Sequence, residues 1–164
     1  MKGARYLRRK SIDTQKDPYL SKASPDDMSS CTKCGAVYHD KRWMHRDDAR
    51  GAILKATGKA VLCPACQKTK DGFARGFVTI QGEFVKDHRE EILNLVRNKE
   101  ALASHTNPLE RIMEVLEREG TIEITTTTEK LAQRIGRMLS RTFSGSVEYK
   151  WSSDVKLARV VWTR

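Results

Sequence analysis

Alternating apolar and polar residues mark four segments in the second half of the chain as β-strands. The first spans residues 76–81 between two glycines, and β-branched residues favour a second strand over 121–126. Residues 147–151 and 157–162 show strand patterns on either side of a Ser-Ser-Asp turn. We therefore predict two strands followed by a β-hairpin.

Helical spacing of apolar residues predicts three helices among these strands. One covers residues 86–102 and another covers residues 128–142. A third is predicted to open at Asn107, where Asn-Pro-Leu-Glu matches an N-cap with Pro and Glu in the first turn, and to end at Gly120. Each helix has one apolar stripe, so we predict an α+β sandwich whose helices cover one face of the sheet.

The first 30 residues lack hydrophobic periodicity and contain prolines and serines, which predicts a basic, largely disordered arm. Such an arm can lie along RNA phosphates, or it can simply increase solubility. Its candidate RNA contacts are the basic residues near its start, Arg5, Arg8, Arg9 and Lys10.

The chain contains four cysteines in two C-x-x-C pairs, Cys31 with Cys34 and Cys63 with Cys66. Two intervening residues allow both sulfurs of a tight turn to point at one centre. Four thiolates form the closed tetrahedral shell of a structural zinc site, which leaves no position open for catalysis. We therefore predict one Zn²⁺ per chain, held in a zinc-ribbon-like module over residues 31–75.

Other interpretations of the cysteines stay open at the level of sequence. A redox dithiol would call for a single motif beside a βαβ pattern, and disulfides would fit an exported protein. Iron is another metal that thiolates bind. His39 or His45 could replace a cysteine as ligand, although four cysteines already complete the shell.

The chain carries a formal net charge of +10 and has a pI of about 9.6. A pI this high is typical of nucleic-acid-binding proteins, and it also fits an acidic protein partner. The N-terminus has no apolar run, and no stretch approaches the ~20 apolar residues of a membrane helix. We therefore expect a cytoplasmic protein with no membrane association.

Basic residues on the predicted helix 128–142 fall at i, i+4, i+7 and i+11, which places Lys130, Arg134, Arg137 and Arg141 on one stripe. No acid within the helix interrupts this stripe, and like charges at such spacing repel. The pattern favours a phosphate-binding edge over a plain solvated face. In the cysteine module, Lys41, Arg42 and Arg46 lie among aromatic residues, which also suits RNA.

The sequence contains no recognisable catalytic motif, which argues against a hydrolase. Residues 51–59 end in Gly-Lys as a P-loop does, but Ile53 and Ala60 stand where that loop needs a glycine and a hydroxyl. We therefore expect neither a nucleotide cofactor nor enzymatic activity.

Short motifs spread over nearly the whole chain carry a resemblance to a known family. They are Asp17-Pro18-Tyr19, residues 31–39, Arg42-Trp43, residues 63–66, Gly76-Phe77-Val78-Thr79, His88-Arg89, residues 91–98 and residues 125–127. In these motifs the chain resembles a family of bacterial zinc-ribbon proteins. That family is remotely similar to the N-terminal region of the large-ribosomal-subunit export adaptor Nmd-three, whose zinc region carries more cysteines than the four found here.

The resemblance implies binding to ribosomal RNA or a ribosomal subunit, with assembly, hibernation, rescue and RNA decay all open. We therefore predict a non-catalytic, RNA-binding zinc protein with an arm over residues 1–30, a zinc module over 31–75 and an α+β domain over 76–164. An adaptor that binds an acidic protein partner is the alternative prediction, and a hydrolase ranks behind both.

Overall fold

The computed structural model of the chain describes residues 17–20, 24–49, 58–152 and 156–164. Within these residues, nine strands and four helices form two sheets, which confirms the predicted α+β class. None of these helices combines the length and the apolar character that crossing a membrane requires. The predicted RNA contacts of the arm, Arg5, Arg8, Arg9 and Lys10, lie outside the described residues, as does most of the predicted hairpin turn.

A small four-stranded sheet contains the first C-x-x-C pair. Its strands are β1 (Ser29–Cys31), β2 (Val37–His39), β3 (Arg42–Met44) and β4 (Ala60–Val61), in the order β3-β2-β1-β4. Strand β1 pairs antiparallel with β2 and parallel with β4. This pairing brings the segment before Cys63 alongside Cys31, because Val61 is the register partner of Cys31.

Helix α1 (Pro64–Asp71) begins at the second C-x-x-C pair. Cys63 is its N-cap, and the Cys63 sulfur accepts a hydrogen bond from the backbone N–H of Cys66. Pro64 fits the first turn because the helix needs no N–H there. Gly72 ends the helix with φ +65°, a left-handed conformation that glycine adopts without steric cost.

A five-stranded sheet forms most of the second half of the chain. Its strands are β5 (Gly76–Gln81), β6 (Ile112–Arg118), β7 (Thr121–Thr126), β8 (Ser146–Ser152) and β9 (Leu157–Thr163). The order is β6-β7-β5-β9-β8, with β5 parallel to β9 and the other neighbours antiparallel. The predicted strands over 76–81 and 121–126 and the terminal hairpin are confirmed, and the hairpin joins the sheet through β5.

Three helices accompany this sheet, α2 (Glu83–Asp87), α3 (Arg89–Thr106) and α4 (Glu129–Phe143). Buried residues of α3 and α4 form one cluster with alternate residues of β5, β7 and β9, including Val78, Ile80, Ile92, Val96, Ile122, Ile124, Leu131, Ile135, Leu139, Val160 and Trp162. Helix α4 lies so close to β5 that a Cβ on Gly76 would come within 2.6 Å of the Ala132 Cβ. The glycine that opens β5 therefore makes room for the helix.

The helix predicted to open at Asn107 is wrong. Asn107 forms a turn instead, in which its Oδ1 accepts the N–H of Leu109 at 3.1 Å. The chain then enters β6, whose backbone pairs along the free edge of β7. Gly120, with φ +68°, lies in the tight connection between these strands rather than at a helix end. Most side chains of β6 are exposed, so its sequence does not need the alternation of apolar and polar residues that marks a half-buried strand. Backbone pairing with β7 holds this segment as a strand instead.

The single helix predicted over residues 86–102 is two helices that meet at His88. The backbone of His88 leaves helical values at φ −115° and ψ 21°. Its ring stacks on that of Phe84 with centroids 3.9 Å apart. Helix α3 then continues to Thr106, beyond the predicted end.

A buried ion pair ties the segment predicted as an arm to α1. The Asp17 carboxylate accepts a 2.6 Å hydrogen bond from Lys68 Nζ, and both side chains are about 95% buried (relative exposures 5% and 4%). Lys68 Nζ also donates to the Thr127 carbonyl at 3.2 Å. Asp17 is further fixed because its other carboxylate oxygen accepts the N–H of Tyr19 at 3.0 Å.

We expect Asp17→Ala to lower the free energy of unfolding by about 3–5 kcal/mol, because it leaves the buried Lys68 ammonium without its counter-charge. The double variant Asp17→Leu with Lys68→Met should recover most of this loss, since it removes both charges and keeps the volume. Urea unfolding followed by circular dichroism measures both values. Equal losses in the single and the double variant would contradict the role assigned to the ion pair.

Candidate metal centre

The four cysteine sulfurs lie within 4.8 Å of one another, and three of the four side chains are buried. A tetrahedral zinc site with Zn–S distances of about 2.3 Å needs sulfurs about 3.8 Å apart. The sulfurs of Cys34 and Cys63 lie 3.7 Å apart, close to that value and far beyond a disulfide bond. All four cysteines are free thiols. The donor set and its spacing therefore fit one tetrahedral metal ion.

Backbone geometry fixes the first pair of sulfurs. Gly35 adopts φ +74°, and its N–H donates to the Cys31 carbonyl at 3.0 Å, so the turn closes on itself. The N–H of Cys31 donates to the Ala36 carbonyl at 2.7 Å. These bonds explain why Cys-x-x-Cys-Gly folds as a turn with both sulfurs on the same side.

Backbone N–H groups also donate to the sulfurs themselves. The N–H of Cys63 lies 3.3 Å from the Cys31 sulfur, and that of Cys66 lies 3.4 Å from the Cys63 sulfur. Such donors stabilise thiolates, which are the form that binds a metal. The first bond links the two C-x-x-C pairs directly, so it helps to position the second pair relative to the first.

The thiols differ strongly in acidity. Burial tends to raise the pKa of Cys31, but N–H groups of Cys63, Cys34 and Lys33 outweigh it and lower the pKa to about 6. Burial raises the pKa of Cys66 to about 11. Burial also raises the pKa of Cys63, and negative charge on the neighbouring sulfurs raises it further. Four thiolates cannot share this small volume without a cation, and a divalent metal supplies that charge.

Arg111 and Leu109 bring the second half of the chain to the metal centre. Leu109 packs against the cysteine cluster, and Arg111 Nη1 lies 3.6 Å from the Cys66 sulfur. Burial opposes the charge on Arg111, but thiolate at Cys34, Cys63 and Cys66 outweighs burial and raises its pKa. Arg111 Nε donates to the Pro108 carbonyl at 2.7 Å, which orients the guanidinium.

Sequence reasoning missed Arg111 because it placed this residue on a helix. The capping pattern of Asn107-Pro108-Leu109 predicts a helix start, and helical spacing gives no sign that Arg111 approaches the cysteines. A basic residue just outside a regular element is a weak signal, and only the fold shows that this one faces sulfur.

The histidines considered as substitute ligands have other partners. His39 Nδ1 lies 3.1 Å from an Asp27 carboxylate oxygen, and His45 Nε2 contacts the Ser104 carbonyl. Among the described residues, the group of side chains close enough to share a metal ion here consists of the four cysteines, without His39 or His45. The prediction that cysteines alone supply the ligands therefore fits the geometry.

The predicted basic stripe lies on α4. Lys130, Arg137 and Arg141 are exposed. Arg134 differs, because its Nη1 lies 2.5 Å from an oxygen of Glu110, whose side chain is only 6% exposed. No acid within the helix interrupts the stripe, but Glu110 pairs with it from another part of the chain. The acid comes from the turn before β6, so spacing within the helix could not reveal it.

The other predicted RNA contacts lie on the small sheet. Lys41 occupies the turn between β2 and β3, Arg42 begins β3, and Arg46 follows this strand. All three side chains are exposed. Neither Lys41 nor Arg42 has an ion-pair partner within the described part of the chain.

Comparison with protein-family models identifies no matching family, and comparison with curated proteins and with solved structures identifies no similar protein. The resemblance to bacterial zinc-ribbon proteins therefore stays a prediction.

We expect the purified protein to contain one zinc ion per chain, measurable by elemental analysis, because it offers one complete thiolate shell. Removal of the metal by a chelator should shift the tryptophan emission to longer wavelength, since Trp43 packs against the cysteine cluster. A Trp43→Phe variant should lose this shift while releasing the same amount of metal. A metal-free protein with paired disulfides would contradict the assignment.

We expect Arg111→Met to weaken metal retention by about tenfold, because groups that hydrogen-bond to ligands typically contribute 10- to 100-fold to affinity. Competition with a chromophoric chelator measures this change. Arg111→Lys should restore part of the affinity through its charge. Arg118→Met, an exposed position at the far end of the strand that follows Arg111, is the matched control and should bind metal as the parent does. Equal affinity in all variants would rule out a role for the guanidinium.

Proposed function

We propose that this chain is a non-catalytic zinc protein that binds ribosomal RNA or a ribosomal subunit. Zinc is the metal that best matches four thiolates at tetrahedral spacing, and Zn²⁺ is redox-inactive, which suits a structural site. In this proposal the metal stabilises a zinc-ribbon-like module, and the two C-x-x-C turns are its metal-binding loops. The shell is complete, so the metal has a structural role.

The exposed basic face of α4 carries the RNA part of the proposal. The opposite face of this helix is buried through Leu131, Ile135 and Leu139, which fixes the basic side toward solvent. Lys130 and Arg141 are exposed near the two ends of the helix, about three turns apart along its axis. A row of cations on a rigid element can follow several phosphates of one strand.

Charge over the whole chain supports the same partner. The net charge of +10 raises the local concentration of any polyanion around the protein. Contacts from Lys and Arg to phosphate displace counterions and carry no sequence information, so they suit an abundant, structured RNA. Ribosomal RNA is the class of RNA that the sequence resemblance implies.

We expect the double variant Arg137→Gln with Arg141→Gln to bind ribosomal subunits and RNA more weakly than the parent. Each lost phosphate contact should reduce the slope of log K against log salt by roughly 0.7–0.9. The fold should persist because the buried face of α4 is unchanged. Sedimentation with ribosomal subunits and RNA titrations at several salt concentrations measure the effect.

The matched control is Arg97→Gln with Arg118→Gln, which removes the same charge from exposed positions of α3 and β6. This control should bind nearly as tightly as the parent. Equal weakening in both double variants would show that net charge alone matters. Failure of the parent to bind RNA or subunits, with capture of an acidic protein instead, would favour the adaptor hypothesis.

A further inference from the structure

A groove of about 770 Å³ runs between the small sheet and the end of α3. This volume falls within the range of ligand sites, roughly 300–1,000 Å³. Trp43 lines the groove together with Tyr38, and their rings meet edge to face with centroids 5.5 Å apart. Leu62 and Leu109 line it as well, and both pack against the cysteine cluster. The groove is called the Trp43 groove below.

The charged residues that line the Trp43 groove within the described chain are Lys41 and Arg42, and no carboxylate lines it. Both side chains are exposed, and neither forms an ion pair with a described residue. Asn107 also lines the groove. Its Oδ1 accepts the N–H of Leu109, so its amide NH₂ is the group left to donate to a ligand. The lining therefore offers aromatic surface, an amide donor and two cations.

A second depression of about 910 Å³ shares Lys41 and Arg42 with the Trp43 groove. Three acids line it, Asp27, Asp40 and Asp48, so it disfavours an anion. The two cations thus lie between an acidic and a neutral surface. An anion that pairs with them is directed toward the side of Trp43.

The position of Lys41 is conformationally costly. The turn between β2 and β3 places Asp40 at φ +50° and Lys41 at φ +61°. Tight hairpin turns of this kind prefer Asn-Gly, since a residue with a Cβ is disfavoured at positive φ. A lysine at the second position gives up stability that glycine would provide. Strained backbone of this kind clusters at functional sites.

From these observations we infer that the Trp43 groove receives one nucleotide of a single-stranded RNA segment. The phosphate lies between Lys41 and Arg42, and the base stacks on Trp43 near the Asn107 amide. The inference rests on the proposed RNA binding and adds a second contact region to the α4 face. Stacking on an aromatic ring accepts any base, so this contact favours unpaired RNA over a particular sequence.

The decisive variant is Lys41→Gly, because it should change stability and binding in opposite directions. Glycine relieves the strained turn and should raise the melting temperature. Loss of the ammonium should weaken binding of a short oligouridylate several-fold and reduce the salt slope by about 0.7. Asp40→Gly is the matched control, since it relieves the same turn but keeps Lys41, and it should bind no more weakly than the parent.

Tryptophan fluorescence provides an independent readout. Oligouridylate should quench the tryptophan emission of the parent and of Trp151→Phe, because both contain Trp43. Trp43→Phe lacks this tryptophan and should show much less quenching. Trp43→Leu should weaken oligouridylate binding about tenfold, because stacking contributes ~1–3 kcal/mol per base. Lys41→Asn introduces a residue that tolerates positive φ and also removes the ammonium. This variant replaces Lys41→Gly if the glycine variant is poorly folded.

The outcomes separate this inference from the proposed function. If Lys41 and Trp43 variants bind oligouridylate like the parent while Arg137→Gln with Arg141→Gln binds weakly, the groove inference is wrong and the α4 face stands. If the parent binds neither oligouridylate nor ribosomal subunits, both fail. If polyglutamate occupies the groove with the same dependence on Lys41 and Trp43, the occupant is an acidic protein segment and the nucleotide inference is overturned.

Discussion

The convergence of four thiols on one point is the constraint on which the N-terminal half of the chain depends. Among the residues that the structure describes, the buried cluster around them consists of the small residues Ala36 and Ala65 and three of the cysteines. A core this small supplies little hydrophobic stabilisation, so small modules of this kind commonly rely on a metal. Burial raises the pKa of Cys63 and of Cys66, and the negative charge of neighbouring sulfurs raises both pKa values further. A metal ion bound by the four thiolates would add stability to this small core and neutralise the negative charge of the sulfurs, and its binding free energy would become folding free energy.

Contacts around Thr127 join this module to the larger sheet. The Thr127 carbonyl accepts a hydrogen bond from Lys68 of α1, and its Oγ1 accepts the N–H of Arg111 at 2.9 Å. Arg111 in turn reaches the Cys66 sulfur, while Lys68 holds Asp17. These contacts cross the predicted border between the zinc module over 31–75 and the α+β domain over 76–164. A short series of hydrogen bonds and one ion pair therefore links the cysteine cluster and α1 to the start of β6 and the end of β7.

Local patterns predicted most of the fold where side-chain burial follows a clear period. Strand β5 and helix α4 show this, because Val78 and Ile80 alternate and Leu131, Ile135 and Leu139 follow helical spacing. The cysteine ligands were predictable because spacing alone brings each pair together. The prediction failed over residues 107–118, where strong capping residues form a turn and a mostly exposed strand is held by its neighbour. Arg111 and the Glu110 partner of Arg134 both lie there, and both act on residues distant in sequence.

The position of β9 has a consequence for how the molecule forms during synthesis. This strand lies between β5 and β8 and pairs in parallel with β5, so that Gly76 meets Ala158. Ribosomes release the N-terminal residues first, and β5 must wait with one edge open until residues 157–163 emerge. All four cysteines have emerged long before then. The four cysteines of the nascent chain can thus come together early, whereas the centre of the larger sheet closes late through contacts of high sequence separation, which are slow to form.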